Sequence, residues 1–328
     1  IQSILISKKL MKKILIIEDI HESGIKLLED KKDYTFEIID NLDPAFIKKK
    51  IEDCDAIALR TFELSADLIN SAKKLKIISR HGVGYDNVDL DAVIKKNVTL
   101  AITATANAVA VTEHVFFMML NISRGFDMYN KTVKSGEFSK RDKLPKTIEL
   151  WNKKILIVGF GRIGKNLIKK CLGFEMKVFV YDPFVDESTI NSLGGKKVND
   201  LNLIIQDMDY VSIHTPLNNK TKNLININNL KRMKKTAIII NTSRGGIINE
   251  LDLEEALNKN YIFGAGIDVF EKEPPDINNP LLKNKKMFLS PHTAPFTKEC
   301  MERMGKETIQ NIIDFFEKKL NKSMIVKL

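Results

Sequence analysis

The sequence predicts an α/β protein built as two doubly wound, parallel-sheet domains. Three observations carry this. Short apolar runs alternate with longer helical patterns almost throughout, as expected of strands joined by crossover helices. The runs fall into two series that open on nearly the same words, "KKILII" at 12 and "KKILIV" at 153. The chain of 328 residues is long enough for two domains, since one core rarely grows past about 250–300 residues. The second series runs into "GFGRIG" at 159, a glycine turn between strand and helix. That domain is expected to be of the Rossmann kind and the other Rossmann- or flavodoxin-like.

In the first series the expected strands are "ILIIE" from 14, "FEIID" from 36, "AIAL" from 56, "KIIS" from 76 and "VTLAI" from 98. In the second they are "ILIVG" from 155, "KVFVYD" from 177, "YVSIH" from 210, "AIIIN" from 237, "GAGIDVF" from 264 and "MFLS" from 287. Between the series, "AVAVTEHVFFMMLNISRGFDMYNKTVKSG" from 108 reads as one long helix, most apolar around Phe116 to Leu120. A helix that apolar is expected to be buried, between domains or against a second subunit. The last helical pattern, "TKECMERMGKETIQNIIDFFEKKL" from 297, is expected to return the chain to the first domain.

Composition narrows the function. Hydrophobic residues at 44% and charged residues at 29% describe an ordinary globular protein. The net charge of +10 arises largely from lysine pairs such as Lys12-Lys13, Lys153-Lys154 and Lys318-Lys319. They read as a solvated face, and no nucleic-acid partner is expected. Cys54, Cys171 and Cys300 are far apart and form no CxxC pair, so neither a disulfide framework nor a cysteine zinc site is expected and a reducing cytoplasm fits. No apolar run reaches the ~18 residues of a membrane helix. The opening lacks a small-residue cleavage site; Met11 looks like the natural start, with residues 1–10 an extension that plays no part in the fold.

The triplet Gly159-x-Gly161-x-x-Gly164 gains weight from its setting. A strand precedes it, "RIGKNLIKKCL" follows, and the next strand ends on Asp182, 18 residues after the last glycine. That is close to the ~20 expected of an acid that holds an adenosine ribose. Such glycines let the backbone approach a pyrophosphate at a positive helix N-terminus. A carboxylate at 182 accepts from both ribose hydroxyls and repels a 2′-phosphate, so the expected cofactor is NAD, not NADP.

Four more stretches end strands of this series on polar residues, where a doubly wound sheet places its ligands. They are "HTP" (214–216), "NTSRGG" (241–246), "GIDVFEKEP" (266–274) and "SPHTA" (290–294). Together they supply a guanidinium (Arg244), a carboxylate (Glu273) and an imidazole (His292). Moving a hydride off a hydroxyl-bearing carbon needs such a set: the imidazole takes the hydroxyl proton, the carboxylate supports the imidazolium, and the guanidinium holds a carboxylate or polarises a carbonyl.

The order of these parts resembles the D-isomer-specific 2-hydroxyacid dehydrogenase family from about residue 12 onward. The matching stretches are "RHGVGYDNVDL" at 80, "TEHVFFMMLNISR" at 112, "GFGRIG" at 159, "HTPL" at 214, "NTSRGGIINE" at 241, "DVFEKEP" at 268 and "PHTA" at 291. They are most similar to the members that oxidise D-3-phosphoglycerate in serine biosynthesis. The resemblance implies two domains with a cleft between them. Residues 11–107 with 298–328 would bind substrate; 108–297 would bind NAD and carry a dimerisation helix and arm at 108–150. It implies catalytic roles for Arg244, Glu273 and His292, and cofactor contacts from Gly159, Gly161, Arg162, Ile163, Gly164, Asp182, Thr215, Pro216, Thr242, Ser243 and Ala294. Asp268 would accept from the nicotinamide carboxamide. The backbone of Gly82, Val83 and Gly84 would hold the substrate carboxylate, and Arg60 would face the substrate. The expected partners are a small 2-hydroxy or 2-keto acid and a second copy of the chain, with no membrane and no metal.

The other histidines carry less. His81 adjoins the carboxylate loop; His114 reads as a core or interface residue, His21 as surface, and His214 as packing beside the cofactor. Thr112 and Pro295 depart from the family's usual small residues. The end soon after the last helix leads us to expect a short form without a C-terminal regulatory domain. Two alternatives stand beside phosphoglycerate oxidation: reduction of glyoxylate, hydroxypyruvate or another 2-keto acid, and an NAD-sensing corepressor that works by binding.

Overall fold

The computed structural model describes residues 11–328; the extension expected at 1–10 lies outside them. The chain divides into two compact units. One comprises the residues up to Asn107 together with Phe296–Leu328, the other Ala108–Pro295. Thr297 caps the last helix by accepting from Cys300 N–H, so the chain passes into the first unit at Phe296, just ahead of the boundary at 298 expected from the motifs.

The first unit is a five-stranded parallel sheet of β1 (Lys12–Ile17), β2 (Tyr34–Ile39), β3 (Ala56–Leu59), β4 (Ile77–Arg80) and β5 (Thr99–Ile102), in the order β2-β1-β3-β4-β5. This is the flavodoxin-like order, whose switch point lies between β1 and β3. Alternate residues of the strands serve opposite faces, which is why the runs are apolar throughout. Leu15, Ile17, Ile57 and Leu59 pack with Ile47, Ile51, Leu68 and Ile69 of helices α2 (Pro44–Ile51) and α3 (Ala66–Ser71). Ile14, Ile16, Ala56 and Ala58 pack with Leu28 of α1 (Glu22–Glu29) and with Ile309, Ile312 and Ile313 of α12 (Lys298–Phe316).

The second unit is a seven-stranded parallel sheet. Its strands are β6 (Lys154–Val158), β7 (Lys177–Tyr181), β8 (Lys196–Val198), β9 (Tyr210–Ile213), β10 (Ile238–Asn241), β11 (Gly264–Ile267) and β12 (Met287–Leu289). The order is β12-β11-β10-β9-β6-β7-β8, a Rossmann arrangement with its switch point between β6 and β9. Ile155, Ile157, Ile238 and Ile240 face Met118 and Met119 of α5 (Ala108–Arg124) and Leu167 of α7 (Arg162–Gly173). Leu156, Val158, Val211 and Ile239 face Leu230 of α10 (Ile227–Arg232) and Leu253 and Leu257 of α11 (Glu250–Asn258) on the other side. The remaining helices are α4 (Leu90–Lys95) in the first unit and α8 (Glu187–Ser192) and α9 (Leu201–Ile204) in the second.

Three features differ from the sequence reading. The long helix from 108 breaks at Gly125, whose φ of 57° is left-handed, and a second helix, α6 (Phe126–Lys134), starts there. The apolar run at Phe116 to Leu120 is used inside its own unit, with Phe116, Met118 and Met119 buried on that unit's sheet. β8 was absent from the expected strands because "KKV" has no apolar run; it pairs as an edge strand on β7.

Candidate active site

The glycine turn follows β6. Gly159 has φ 94°, a conformation that suits glycine, and a Cβ there would fall 2.6 Å from the His214 carbonyl oxygen. A Cβ on Gly164 would fall 2.4 Å from the Gly159 oxygen, so this glycine lets α7 start against the turn. Gly161 differs: nothing lies within 4 Å of its missing Cβ. It caps the start of α7, with Arg162 and Ile163 in the first helical turn. Asp182, just past β7, accepts from Phe160 N–H at 2.7 Å and Phe184 N–H at 2.8 Å. The acid thus also fastens the glycine turn, a part that its spacing did not reveal.

Past β9, Ser243 donates its hydroxyl to the Thr215 carbonyl, next to Pro216. Past β10, Asn241 shapes the turn that bears Arg244. Its Oδ1 accepts from Ser243 N–H at 3.0 Å and its Nδ2 donates to the Arg244 carbonyl at 2.8 Å. The guanidinium donates to the Ser243 carbonyl at 2.7 Å. A Cβ on Gly245 would meet the Phe270 backbone at 2.0 Å, so this glycine brings the Arg244 turn against the loop after β11.

That loop carries Glu273. Its Oε1 accepts from Phe270 N–H at 3.0 Å, and its Oε2 accepts from His292 Nδ1 at 2.7 Å. Burial pushes the Glu273 carboxyl upward but is outweighed by the His292 hydrogen bond and charge, the Phe270 N–H and the Arg244 charge, so its pKa lies below the ordinary value. The carboxylate is therefore charged at neutral pH. With Nδ1–H given to Glu273, neutral His292 holds its lone pair on Nε2. The structure brings Arg244, Glu273 and His292 together from three strand ends, with His292 and Glu273 side chains 45% and 38% exposed.

Thr242 Oγ1 and His214 Nδ1 are buried with no hydrogen-bond partner in the protein. The His214 ring otherwise meets Ser212 Oγ at 2.8 Å, and burial drives its pKa down to about 3. Thr112 is fully buried, its hydroxyl 2.8 Å from the Asn166 side chain on α7. Asp268 and Ala294 are buried at the end of β11 and in the loop after β12. Ser290 and His114, which join them, were missed as site residues. No local pattern pairs positions 176 residues apart.

In the first unit, Gly82, Val83 and Gly84 follow β4. Gly82 has φ 146°, and Arg80 braces the turn by donating to the His81 carbonyl at 2.6 Å. His81 is buried and its pKa is lowered to about 4, by burial first and then by the Arg60 and Arg80 charges. Arg60 directly follows β3 at the switch point and donates to the Asp19 carbonyl at 3.3 Å. It lines a cavity of about 650 Å³ with His21, Phe296 and Lys298. His21 is half-buried and caps α1 by accepting from Ser23 N–H. Among the described residues no group of three His, Cys, Asp or Glu could hold a metal, and no helix is long and apolar enough to cross a membrane.

A glycine turn on a Rossmann sheet, with a guanidinium, carboxylate and imidazole at its strand ends, defines the class of dinucleotide-dependent oxidoreductases. Residues 116–294 match the D-isomer specific 2-hydroxyacid dehydrogenase NAD-binding domain. The chain is 35% identical over 303 residues to D-3-phosphoglycerate dehydrogenase of Methanocaldococcus jannaschii, covering 92% of this chain and 57% of the relative. It is 33% identical over 326 residues to glyoxylate reductase of Thermococcus litoralis, covering 96% and 97%. D-lactate dehydrogenase of Aquifex aeolicus, solved with NAD and lactic acid, superposes with a TM-score of 0.84 at 25% identity, over 95% of this chain and 98% of that one. This chain belongs to the D-isomer-specific 2-hydroxyacid dehydrogenase family, and its second unit contains that family's NAD-binding domain. It spans about half the length of the phosphoglycerate dehydrogenase relatives it matches, 57% for each of two archaeal ones.

Proposed function

We propose that the protein is an NAD-dependent D-2-hydroxyacid dehydrogenase that oxidises D-3-phosphoglycerate to 3-phosphohydroxypyruvate, working as a cytoplasmic homodimer. The observation that carries the reading is the 2.7 Å bond from His292 Nδ1 to a Glu273 carboxylate kept charged beside Arg244. NAD fits the residues present. The open side of Gly161 leaves room for a pyrophosphate, and the buried Thr242 Oγ1 and His214 Nδ1 await partners that a dinucleotide can supply. Gly159, Gly161, Arg162, Ile163 and Gly164 would hold the pyrophosphate and Asp182 the adenosine ribose. Thr215, Pro216, Thr242, Ser243 and Ala294 would line the dinucleotide, and Asp268 would take the carboxamide. When bound, NAD supplies the hydride acceptor.

The chain's own residues manage the proton and the charge. His292 Nε2 takes the proton of the substrate's 2-hydroxyl, and Glu273 supports the imidazolium that forms. In the reverse direction the imidazolium returns the proton to the keto oxygen. Arg244 binds the carboxylate and polarises the C2 oxygen. The backbone N–H groups of Gly82, Val83 and Gly84 are assigned to the substrate carboxylate, and Arg60 to the phosphate. The position of Arg60 at a switch point and on a cavity supports its assignment. The three cysteines, unpaired and buried, suit a reducing compartment.

A second reading, reduction of glyoxylate or hydroxypyruvate, is favoured by the glyoxylate reductase relative matched along nearly its whole length. Turnover against a panel of 2-hydroxy and 2-keto acids decides between them. We expect the highest kcat/KM with D-3-phosphoglycerate and NAD, and a selective loss for that substrate in Arg60→Ala. Preference for glyoxylate, indifferent to Arg60, establishes the second reading; no turnover of any acid overturns both.

A further inference from the structure

Asp268 is fully buried, and a carboxylate out of water must be satisfied by donors. Its Oδ1 accepts from the Ser290 hydroxyl at 2.5 Å and from Thr293 N–H at 2.8 Å, and its Oδ2 accepts from Ala294 N–H at 3.0 Å. Its main-chain oxygen accepts from His292 N–H at 2.8 Å. Four of the five residues from 290 to 294 are thus tied to this one aspartate. Among them His292 has φ 53°, a left-handed conformation that a residue with a Cβ keeps only where its surroundings hold it.

The network has a direction. A carboxylate only accepts, so Ser290 spends its proton on Asp268 and its oxygen must accept from elsewhere. The donor is His114 on α5, whose Nε2 lies 2.9 Å from Ser290 Oγ and 3.8 Å from Asp268 Oδ1. His114 therefore carries its proton on Nε2. Burial lowers its pKa, against the pull of the Asp268 charge, and keeps the ring neutral. His114 donates to Ser290 and Ser290 to Asp268, and the amides on either side of the His292 side chain donate to Asp268 as well.

We propose that His114 is a positioning residue, which through Ser290 fixes the Asp268 carboxylate and so clamps the backbone that carries His292. The proposal rests on the reading of His292 as the proton acceptor. It predicts that a residue remote in sequence, touching neither substrate nor cofactor, governs kcat. A merely structural ring, packed on Phe117 at 6.0 Å between centroids, would do no such thing.

The test uses the full chain in four forms: wild type, His114→Leu, His114→Gln and Ser290→Ala. Hydrogen–deuterium exchange is read by mass spectrometry on peptides spanning 287–296, beside steady-state kinetics with NAD and the best hydroxy acid. In His114→Leu, exchange of the 290–294 amides should rise about 10-fold and kcat should fall about 10-fold, with the KM for the hydroxy acid within about 3-fold, as loss of one charge-linked hydrogen bond implies. Ser290→Ala should reproduce both changes, and it decides the matter should His114→Leu fail to fold. His114→Gln, whose amide N–H can reach Ser290, should restore most of both. Unchanged exchange in His114→Leu and Ser290→Ala, or equal damage in the glutamine and leucine variants, overturns the clamp. Faster exchange combined with full turnover in His292→Ala would instead keep the clamp and overturn the catalytic reading of His292.

Discussion

At the scale of single residues, the proposed acid–base role of His292 predicts a pH response. If His292 is the proton acceptor, oxidation of a hydroxy acid needs its neutral imidazole and reduction of a keto acid needs its imidazolium. Oxidation should therefore rise with pH through the midpoint of the His292–Glu273 pair, and reduction should fall through the same midpoint, which belongs to the pair and not to either group. Glu273 holds its charge 2.7 Å from His292 Nδ1, so Glu273→Gln, which keeps the shape and removes that charge, should move both profiles to lower pH. A profile that stays in place would separate Glu273 from the acid–base step. His292→Ala should lower kcat by about 10²–10⁴-fold, the usual worth of a placed acid–base group, with NAD affinity retained; calorimetric titration of NAD checks the second half. Asp182 makes a different prediction, because its carboxylate also holds Phe160 N–H of the glycine turn. Asp182→Ala should cut the NAD over NADP preference in kcat/KM by about 10–100-fold, on the scale of hydrogen bonds to a charge. It should also weaken NAD itself, since the turn loses its fastening. Equal use of both cofactors by the wild type would remove the argument.

At the scale of elements, α1 meets α12 so closely that a Cβ on Gly24 would fall 2.4 Å from the Gly305 carbonyl oxygen. Glycine to alanine within an exposed helix normally stabilises by about 1 kcal/mol. Here backbone blocks the new methyl, and overpacking of this kind costs about 1–3 kcal/mol. Gly24→Ala should therefore lower the melting temperature where the general rule raises it; calorimetry of the two proteins reads the sign. Most elements were legible in the sequence because both sheets are covered on both faces, so every central strand is an apolar run. The exceptions have physical causes. β8 is a three-residue edge strand with two lysines, and its pairing on β7 is a tertiary event. The break at Gly125 lies between two segments that each read as helix, and only the left-handed φ of that glycine separates them. The convergence of Arg244, Glu273 and His292 was legible because each is fixed by its neighbours in a short motif. The Ser290–Asp268–His114 chain was not, since it joins a helix to two strand ends across 176 residues. Nor was the second bond of Asp182, because spacing tells where a carboxylate stands and not how many donors it serves.

At the scale of the whole molecule, the question is what covers α6 and the arm behind it. The sequence reading placed a dimerisation helix and arm at 108–150 and left the apolar stretch at Phe116 to Leu120 to lie between domains or against a second subunit, but much of that stretch is consumed by its own sheet. What remains outside is Phe117, Phe126, Val133, Phe138 and Trp151, each more than half exposed. α6 has no buried residue at all, although Phe126, Met128 and Val133 recur along it. An amphipathic helix held only by water on its apolar side is poorly stabilised. The arm is nonetheless ordered against α6, with Tyr129 Oη donating to the Pro145 carbonyl at 2.5 Å. Exposed apolar side chains gathered on one connected segment mark an interface, and a lasting one buries about 1,200–2,000 Å² in total. A second copy of the chain would supply that area with matching apolar groups, since a two-fold contact sets the same patch against itself. Light scattering at micromolar concentration should give twice the 37.3 kDa mass of the chain. The double variant Phe126→Glu with Phe138→Glu should give the single mass while keeping the same circular dichroism, because neither side chain is buried in its own unit. A wild type that weighs one chain would sink the dimer, and a double variant that still weighs two would move the interface away from α6 and its arm.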